Sequence, residues 1–419
     1  MKKIIIFLAV IMTAVIASSC SGGEGDDGKT ETLYVYNWGE YISDGSEGTL
    51  NSNLEFEKYC KEVLKRNVKV NYSTFSSNES LYAKLSGGTV SYDVIVPSDY
   101  MVERLISEGL LMEIDPEKNI ENYKYIDEKF KGLYYDKDQL YSVPYTYGTV
   151  GVIYNTDIVD KDDESIGSWD LMWDEDYKGN ILQFNNPRDA FATAMFRLGY
   201  SINSNDPEQW REALSLLMEQ KNVVQGYVMD EIFNKLKGGS AAVASYYAGD
   251  FFTMYVDNDR LSFYTPKEGA NVFVDAMCIP KNSKNYDLAL EYINFMLSRE
   301  VAIANAEYIC YASPNKLVYE DPEYISYMTE EIHPDAMDIL YNIDLDKMEY
   351  FYDLSSITYT ENGVDKTVLS LMNSLWEELK IESNIGTSVY VICGVIVFTA
   401  VSFGMVMYIR KKKRQSYYD

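Results

Sequence analysis

The sequence predicts an α/β protein of two lobes, each a mixed, mainly parallel sheet flanked by helices, with a transmembrane helix at the C-terminus. Three observations lead there. The N-terminal third alternates strand and helix, which implies parallel strands joined by crossover helices. Roughly 350 residues separate the two terminal segments, too many for one ordinary core and comfortable for two. Residues 385–409 carry no charged side chain, and at about 1.5 Å per residue such a run crosses about 30 Å of hydrocarbon.

The chain opens with Lys2 and Lys3, an apolar run, and the small residues Ala17, Ser18 and Ser19 before Cys20. This is a secretory signal over residues 1–20. Cys20 after small residues has the form of a bacterial lipobox and would be the lipid attachment point. Ala17 stands where Leu is usual, so a plain signal peptide or an uncleaved anchor stays open. Residues 21–30 form a flexible tether without an apolar side chain.

At the other end, Arg410, Lys411, Lys412, Lys413 and Arg414 follow the apolar run directly. Basic residues are retained on the cytoplasmic side, so the tail 410–419 is expected inside and the ligand-binding region outside the cell membrane.

Composition narrows the function. With 37 Lys and Arg against 65 Asp and Glu, the net charge is −28, which argues against nucleic acid as a partner and fits a cationic ligand. The five cysteines make no disulfide framework in a chain this long. Cys60, Cys278 and Cys310 read as small buried hydrophobes, with one Cys278–Cys310 bridge left open.

The first strand, Leu33 to Tyr36, runs into a turn of Asn37, Trp38, Gly39, Glu40 and Tyr41. An aromatic face, an acid and a phenol at a strand end are what a binding crevice needs. Leu54, Phe56, Tyr59 and Val63 recur at roughly helical spacing, and 68–75 alternates as a second strand. Residues 77–80 cap a helix over 81–85. The apolar run 92–97 reads as a third strand ending in Ser98, Asp99 and Tyr100, expected beside Trp38 and Glu40.

A second unit begins at 143–148, with a strand over 149–154 and another near 178–182. Residues 185–189 open a helix over 190–198 that carries Asp189 in its first turn, where the helix dipole alone would favour an acid. Residues 239–250 read as a strand ending in Tyr247 and Asp250. Residues 273–280 read as a further strand carrying Phe273 and Asp275, followed by an amphipathic helix over 286–297 and a turn at 311–315.

Taken together, NWGEY at 37–41, STFSSNESLYAKL at 73–85, YDVIVPSDY at 92–100, VPYTYGTVGVIYN at 143–155, RLGYS at 197–201 and PKEGANVFVDAMCIPKNSKN at 266–285 resemble the spermidine/putrescine-binding proteins of bacterial ABC importers. The likeness keeps the same order over most of residues 31–380 and leaves out the C-terminal apolar run. It implies a two-lobed periplasmic-binding-protein-like fold of type II, with lobe 1 from 31–145 plus 269–333 and lobe 2 from 146–268 plus 334–382. It implies a polyamine ligand, ABC permease subunits as partners, a monomer, and no cofactor, metal or catalytic residue.

The resemblance also implies which positions face the ligand. Trp38, Gly39, Glu40, Tyr41, Ser98, Tyr100, Asp189, Tyr247, Asp250, Phe273, Asp275 and Tyr311 match cleft positions of the family. Asn186 stands where spermidine binders have Asp, and Phe351 where a polar residue is often found.

Other readings compete. The adjacent Tyr246 and Tyr247 could ligate ferric iron, since phenolates suit a hard ion, although such sites usually add a histidine and the chain has one, His333. A membrane-tethered polyamine sensor would use the same site with a different output. An enzyme finds little support, because the sequence has no G-x-S-x-G, no Walker A loop and no zinc-ligand spacing.

Overall fold

The structure, a computed structural model, describes residues 30–88, 90–381 and 398–399. At its centre lies a mixed sheet of ten strands: β1 (Glu31–Trp38), β2 (Val68–Phe75), β3 (Val94–Ile95), β4 (Ser142–Asn155), β5 (Ile181–Phe184), β6 (Val224–Val228), β7 (Val243–Tyr247), β8 (Leu261–Tyr264), β9 (Ala270–Cys278) and β10 (Met348–Glu349). The spatial order is β2-β1-β3-β9-β4-β7-β5-β6, with β8 beside β4 and β10 beside β9.

The pairing divides the molecule into two lobes. β1 runs parallel to β2 and β3 on one side, and β5 runs parallel to β6 and β7 on the other. β4 and β9 are antiparallel and join them. The first half of β4 pairs with β9, from Ser142 opposite Cys278 to Thr149 opposite Val272, and its second half pairs with β7 and β8. Nearly every residue of β4 is buried, because this strand is covered on both faces.

Pro144 sits inside β4 where the register shifts between Pro144 and Thr146. A proline has no N–H to give a ladder, so a central strand tolerates it at such a bulge. The bulge sets Thr146 opposite Asp275.

Local chemistry fixes the helices that reach the cleft. Ser77 caps the helix Asn78–Ser86 by accepting from Ser80 N. Asn186 caps Pro187–Leu198 by accepting from Arg188 N, with Pro187 at the first helical position.

Several expectations change. In the helix Ser52–Tyr59 and the turn after it, the buried residues are Ser52, Phe56 and Cys60, whereas Leu54 and Val63 are exposed. The four-residue repeat of the helix selects the inner face, not the scattered apolar positions. The third strand shrinks to Val94–Ile95, and Ser98 becomes the residue before the helix Asp99–Ser107. The expected strand over 239–250 splits into β7 and the helix Ala248–Tyr255, so Asp250 lies in a first helical turn, not at a strand end. Cys60, Cys278 and Cys310 are buried and free.

The expected transmembrane helix and membrane-spanning location are corrected as well. Among the described residues no helix is long and apolar enough to cross a membrane, and those residues form the two-lobed α/β fold alone. The segment 385–409 behind the expectation lies outside the described residues, save Phe398 and Thr399, as do Cys20 and the tail 410–419.

Candidate functional site

Two buried acids, Asp275 and Asp189, and the partly buried Asp250 lie where β4 and β9 cross between the lobes, and each accepts a hydrogen bond from a tyrosine. Asp275, on β9 and 4 % exposed, accepts from Tyr41 Oη at 2.6 Å. Asp189, in the first turn of Pro187–Leu198 and 6 % exposed, accepts from Tyr247 Oη at 2.7 Å and from Asn186 Nδ2 at 2.6 Å. Asp250, in the first turn of Ala248–Tyr255, accepts from Tyr311 Oη at 3.0 Å. No Lys or Arg forms an ion pair with any of these carboxylates among the described residues.

Aromatic rings link the pairs. Tyr41 meets Tyr311 edge-on at 5.5 Å, Tyr311 lies 6.1 Å from Phe273, and Phe273 meets Tyr247 edge-on at 5.6 Å. Neighbouring glycines make room for them. A Cβ on Gly249 would fall inside the Tyr311 ring, and one on Gly148 would come within 2.7 Å of Phe273.

Behind Asp275 the hydrogen bonds have a definite direction. Tyr41 has one hydroxyl proton and gives it to Asp275, so Thr146 Oγ1, 2.8 Å away, donates to Tyr41. Tyr145 Oη donates to the carbonyl of Tyr41 at 3.0 Å and fixes that loop. Asp275 Oδ1 is buried and has no hydrogen-bond partner.

Burial is the main cause of every shift in these acids. It pushes Asp275 up to about 6, restrained by hydrogen bonds from Ser98 and Tyr41. It pushes Asp189 up to about 6 against the Tyr247 hydrogen bond and the Arg188 charge, and Asp250 up to about 7 against the Tyr311 hydrogen bond. Burial beside the acids holds the Tyr41, Tyr247 and Tyr311 phenols well above their ordinary range, so they remain donors.

Of the residues expected at the site, the structure brings together Tyr41, Asp189, Tyr247, Asp250, Phe273, Asp275 and Tyr311. Ser98 bridges Asp275 across the backbone. Tyr100 lies at the Asp189 end, accepting from Asn78 Nδ2 at 3.0 Å and donating to Glu79 at 3.2 Å. Trp38 packs on Phe75 at 4.4 Å with its indole N–H buried and unpartnered.

Gly39 and Glu40 are exposed, and Glu40 accepts a long hydrogen bond from the Tyr308 hydroxyl at 3.4 Å. Asp99 lies beneath Tyr100, not beside Glu40, and accepts from Tyr100 N at 2.7 Å and Val274 N at 3.2 Å.

Sequence reasoning missed two residues. Thr146 was hidden inside a strand motif. Arg188 is 5 % exposed, and its guanidinium lies 3.8 Å from the Tyr100 ring centroid and 5.6 Å from that of Phe351. A cation in the first turn of a helix opposes the helix dipole, and that mismatch was the available signal.

A pair of lobes joined by crossing strands, with acids and rings facing one another at the junction, defines a solute-capture protein. The comparisons agree. The family model for bacterial extracellular solute-binding protein matches residues 55–330, and the chain belongs to that family.

The spermidine/putrescine-binding periplasmic protein of Escherichia coli is 33 % identical over 330 residues, 78 % of this chain and 89 % of the relative. A putrescine/cadaverine-binding protein of Pseudomonas aeruginosa is 30 % identical over 397 residues, 91 % of this chain and 99 % of the relative. A solved structure from Listeria monocytogenes, assigned to spermidine/putrescine ABC transport, superposes with a TM-score of 0.71 at 32 % identity, covering 84 % of this chain and 99 % of its own. These relatives are solute binders, not enzymes. The periplasmic name of the first agrees with the correction of the membrane-spanning location.

Proposed function

We propose that this protein captures a polyamine between its lobes and delivers it to the permease of an ABC importer, acting as a monomer. One observation carries the reading: two buried carboxylates and one partly buried, without a salt-bridge partner among the described residues, joined by a path of aromatic rings. A polyamine is a methylene chain with an ammonium at each end, and it fits that alternation.

Four methylenes contribute about 3 kcal/mol at roughly 0.8 each, and an ammonium over a ring face adds about 0.5–2 kcal/mol. The acids offset the desolvation of the ammoniums. Asp189, Asp250 and Asp275 would hold the ammonium ends, with Phe273, Tyr247, Tyr311 and Trp38 along the chain. Tyr41 and Ser98 would orient Asp275, and Tyr100 would close the Asp189 end. Gly39 and Glu40 would stand at the rim. The lobe boundaries read from the sequence, and lipid attachment at Cys20, belong to the same proposal; the mass of the mature chain checks the latter.

Calorimetric titration of the full-length protein with putrescine, spermidine and spermine tests the function. Binding heat with at least one of them is expected, and no heat with any overturns the reading.

The ferric reading loses its geometric basis. Tyr246 and Tyr247 are consecutive in β7, so their side chains leave on opposite faces of the sheet. Tyr247 reaches Asp189, whereas Tyr246 stacks on Phe184 at 5.4 Å. His333 packs against Phe251 and Tyr255, at 5.5 and 4.4 Å.

A further inference from the structure

Thr146 is a polar residue where an apolar one would pack as well. It lies 3 % exposed inside β4, a strand buried along almost its whole length. A β-branched Val would fill the same place without the cost of burying a hydroxyl. Among the described residues the one hydrogen-bond partner of Thr146 Oγ1 is Tyr41 Oη, at 2.8 Å.

The strand is shaped to put that hydroxyl there. Pro144 pairs with Ala276, so an unbroken antiparallel register would set Tyr145 opposite Asp275, and the bulge sets Thr146 there instead. Residues opposite each other on an antiparallel pair share a face, and bulges beside binding sites re-aim side chains. The two neighbours then grip one tyrosine from two sides: Tyr145 Oη donates to the Tyr41 carbonyl at 3.0 Å, and Thr146 donates to the Tyr41 hydroxyl. Tyr41 passes its own proton to Asp275 Oδ2 at 2.6 Å. A donor on the phenol oxygen fixes the direction of that bond and polarises it.

We propose that Thr146 is a positioning residue: acting through the Tyr41 hydroxyl, it fixes the direction in which Asp275 presents its carboxylate to a ligand ammonium. The inference rests on the polyamine reading of Asp275 and adds a residue that acts without touching the ligand.

The same chain of hydrogen bonds favours the ionised acid. Burial pushes Asp275 up to about 6 against the hydrogen bonds from Ser98 and Tyr41, and a weaker Tyr41 bond lets it rise further. The titratable groups that face it are Tyr41 and, from the helix Asp99–Ser107, Asp99. Tyr145 and Tyr311 reach it through the Tyr41 ring, at 6.1 and 5.5 Å.

Two variants of the full-length protein separate hydroxyl from packing. Thr146→Val keeps the shape and loses the hydroxyl, whereas Thr146→Ser keeps the hydroxyl and loses the methyl. In calorimetric titration with putrescine, spermidine and spermine at pH 7.5, Thr146→Val is expected to weaken the tightest of them about five- to tenfold. Thr146→Ser is expected to recover binding to within about threefold of the wild type. The reverse order, with the Ser variant the weaker binder, makes Thr146 a packing residue and overturns the inference.

Thermal denaturation without ligand tests the same chain independently. With the folded Asp275 raised further in Thr146→Val, the destabilisation is greatest at pH 8 and fades as the carboxyl takes up its proton. The melting-temperature deficit against wild type is expected to shrink by about half or more between pH 8 and pH 5.5. An equal deficit at both pH values overturns the inference. Failure of the wild type to bind any of the amines is a different result: it removes the polyamine reading, and the melting comparison still decides whether Thr146 acts on Asp275.

Discussion

Trp38-Gly39-Glu40 and Phe273-Val274-Asp275 spell the same pattern, an aromatic followed two residues later by an acid, yet the structure treats them oppositely. Phe273 and Asp275 both lie within β9, where residues two apart share a face, so ring and carboxylate enter the cleft together. β1 ends at Trp38. Glu40 follows in a turn with φ of 51° and faces water. The pattern therefore puts ring and carboxylate on one face only where strand geometry continues through both positions.

The sharpest way to test that difference is to remove each acid. Asp275→Asn keeps the size of the side chain and an acceptor for Tyr41 but deletes the charge that would hold an ammonium. Losing one partner of a buried ion pair costs about 3–5 kcal/mol, so the dissociation constant for the preferred polyamine should rise about a hundredfold or more. An unchanged calorimetric constant would take Asp275 out of the site.

A steric change comes next in size. Gly249→Ala gains about 1 kcal/mol of helix propensity, but the added methyl falls inside the Tyr311 ring. Displacing a ring from a packed site costs about 1–3 kcal/mol, and an overlap this deep belongs at the upper end, so the clash wins. Thermal denaturation should show a melting temperature lower by several degrees, with weaker binding as Tyr311 leaves Asp250. A melting temperature raised by the substitution would show that Tyr311 has room to move.

Much of this was legible before the structure. β1, β2 and the helix Tyr286–Met296 follow from period and composition, and Asp275 with Phe273 follows from strand alternation. Asp250 was placed at the site but on the wrong element, because an Ala-Gly-Asp run after an apolar strand reads as a strand end. Only tertiary contact shows that Gly249 starts a helix against Tyr311. Thr146 was not legible, since its role depends on a bulge at Pro144 that exists only once β4 and β9 are paired. Arg188 left a signal in its unfavourable helix position, but its lack of an ion pair is a three-dimensional fact.

Proton linkage contrasts the buried acids with exposed ones more gently. Burial raises Asp189 and Asp275 to about 6 and Asp250 to about 7 from the ordinary carboxylate value of 3.8. The folded, ligand-free protein therefore holds protons that the unfolded chain releases. The stability these acids contribute is full below about pH 4 and is lost as pH rises through about 6–7. The melting temperature without ligand should gain from these groups between pH 8 and pH 5.5.

Ammonium binding requires the ionised carboxylates, so affinity should move the other way, falling by about thirtyfold or more over the same interval from Asp250 alone. Titration near pH 6.5 in buffers of different ionisation enthalpy should show proton release on binding. Binding heats independent of the buffer would mean the acids are already ionised in the empty cleft.

The smallest effect is expected at the other half of the comparison. Glu40 is solvated and accepts a long hydrogen bond from Tyr308, and an exposed charge contributes about 0–1 kcal/mol to a nearby cation. Glu40→Asn removes the charge and places at φ of 51° a residue that tolerates the left-handed region. Polyamine affinity should fall less than about fivefold, with no loss of melting temperature. A hundredfold loss at Glu40 would mean that the β1 turn folds onto the ligand. The two aromatic-x-acid motifs would then be equivalent once a cation bridges them.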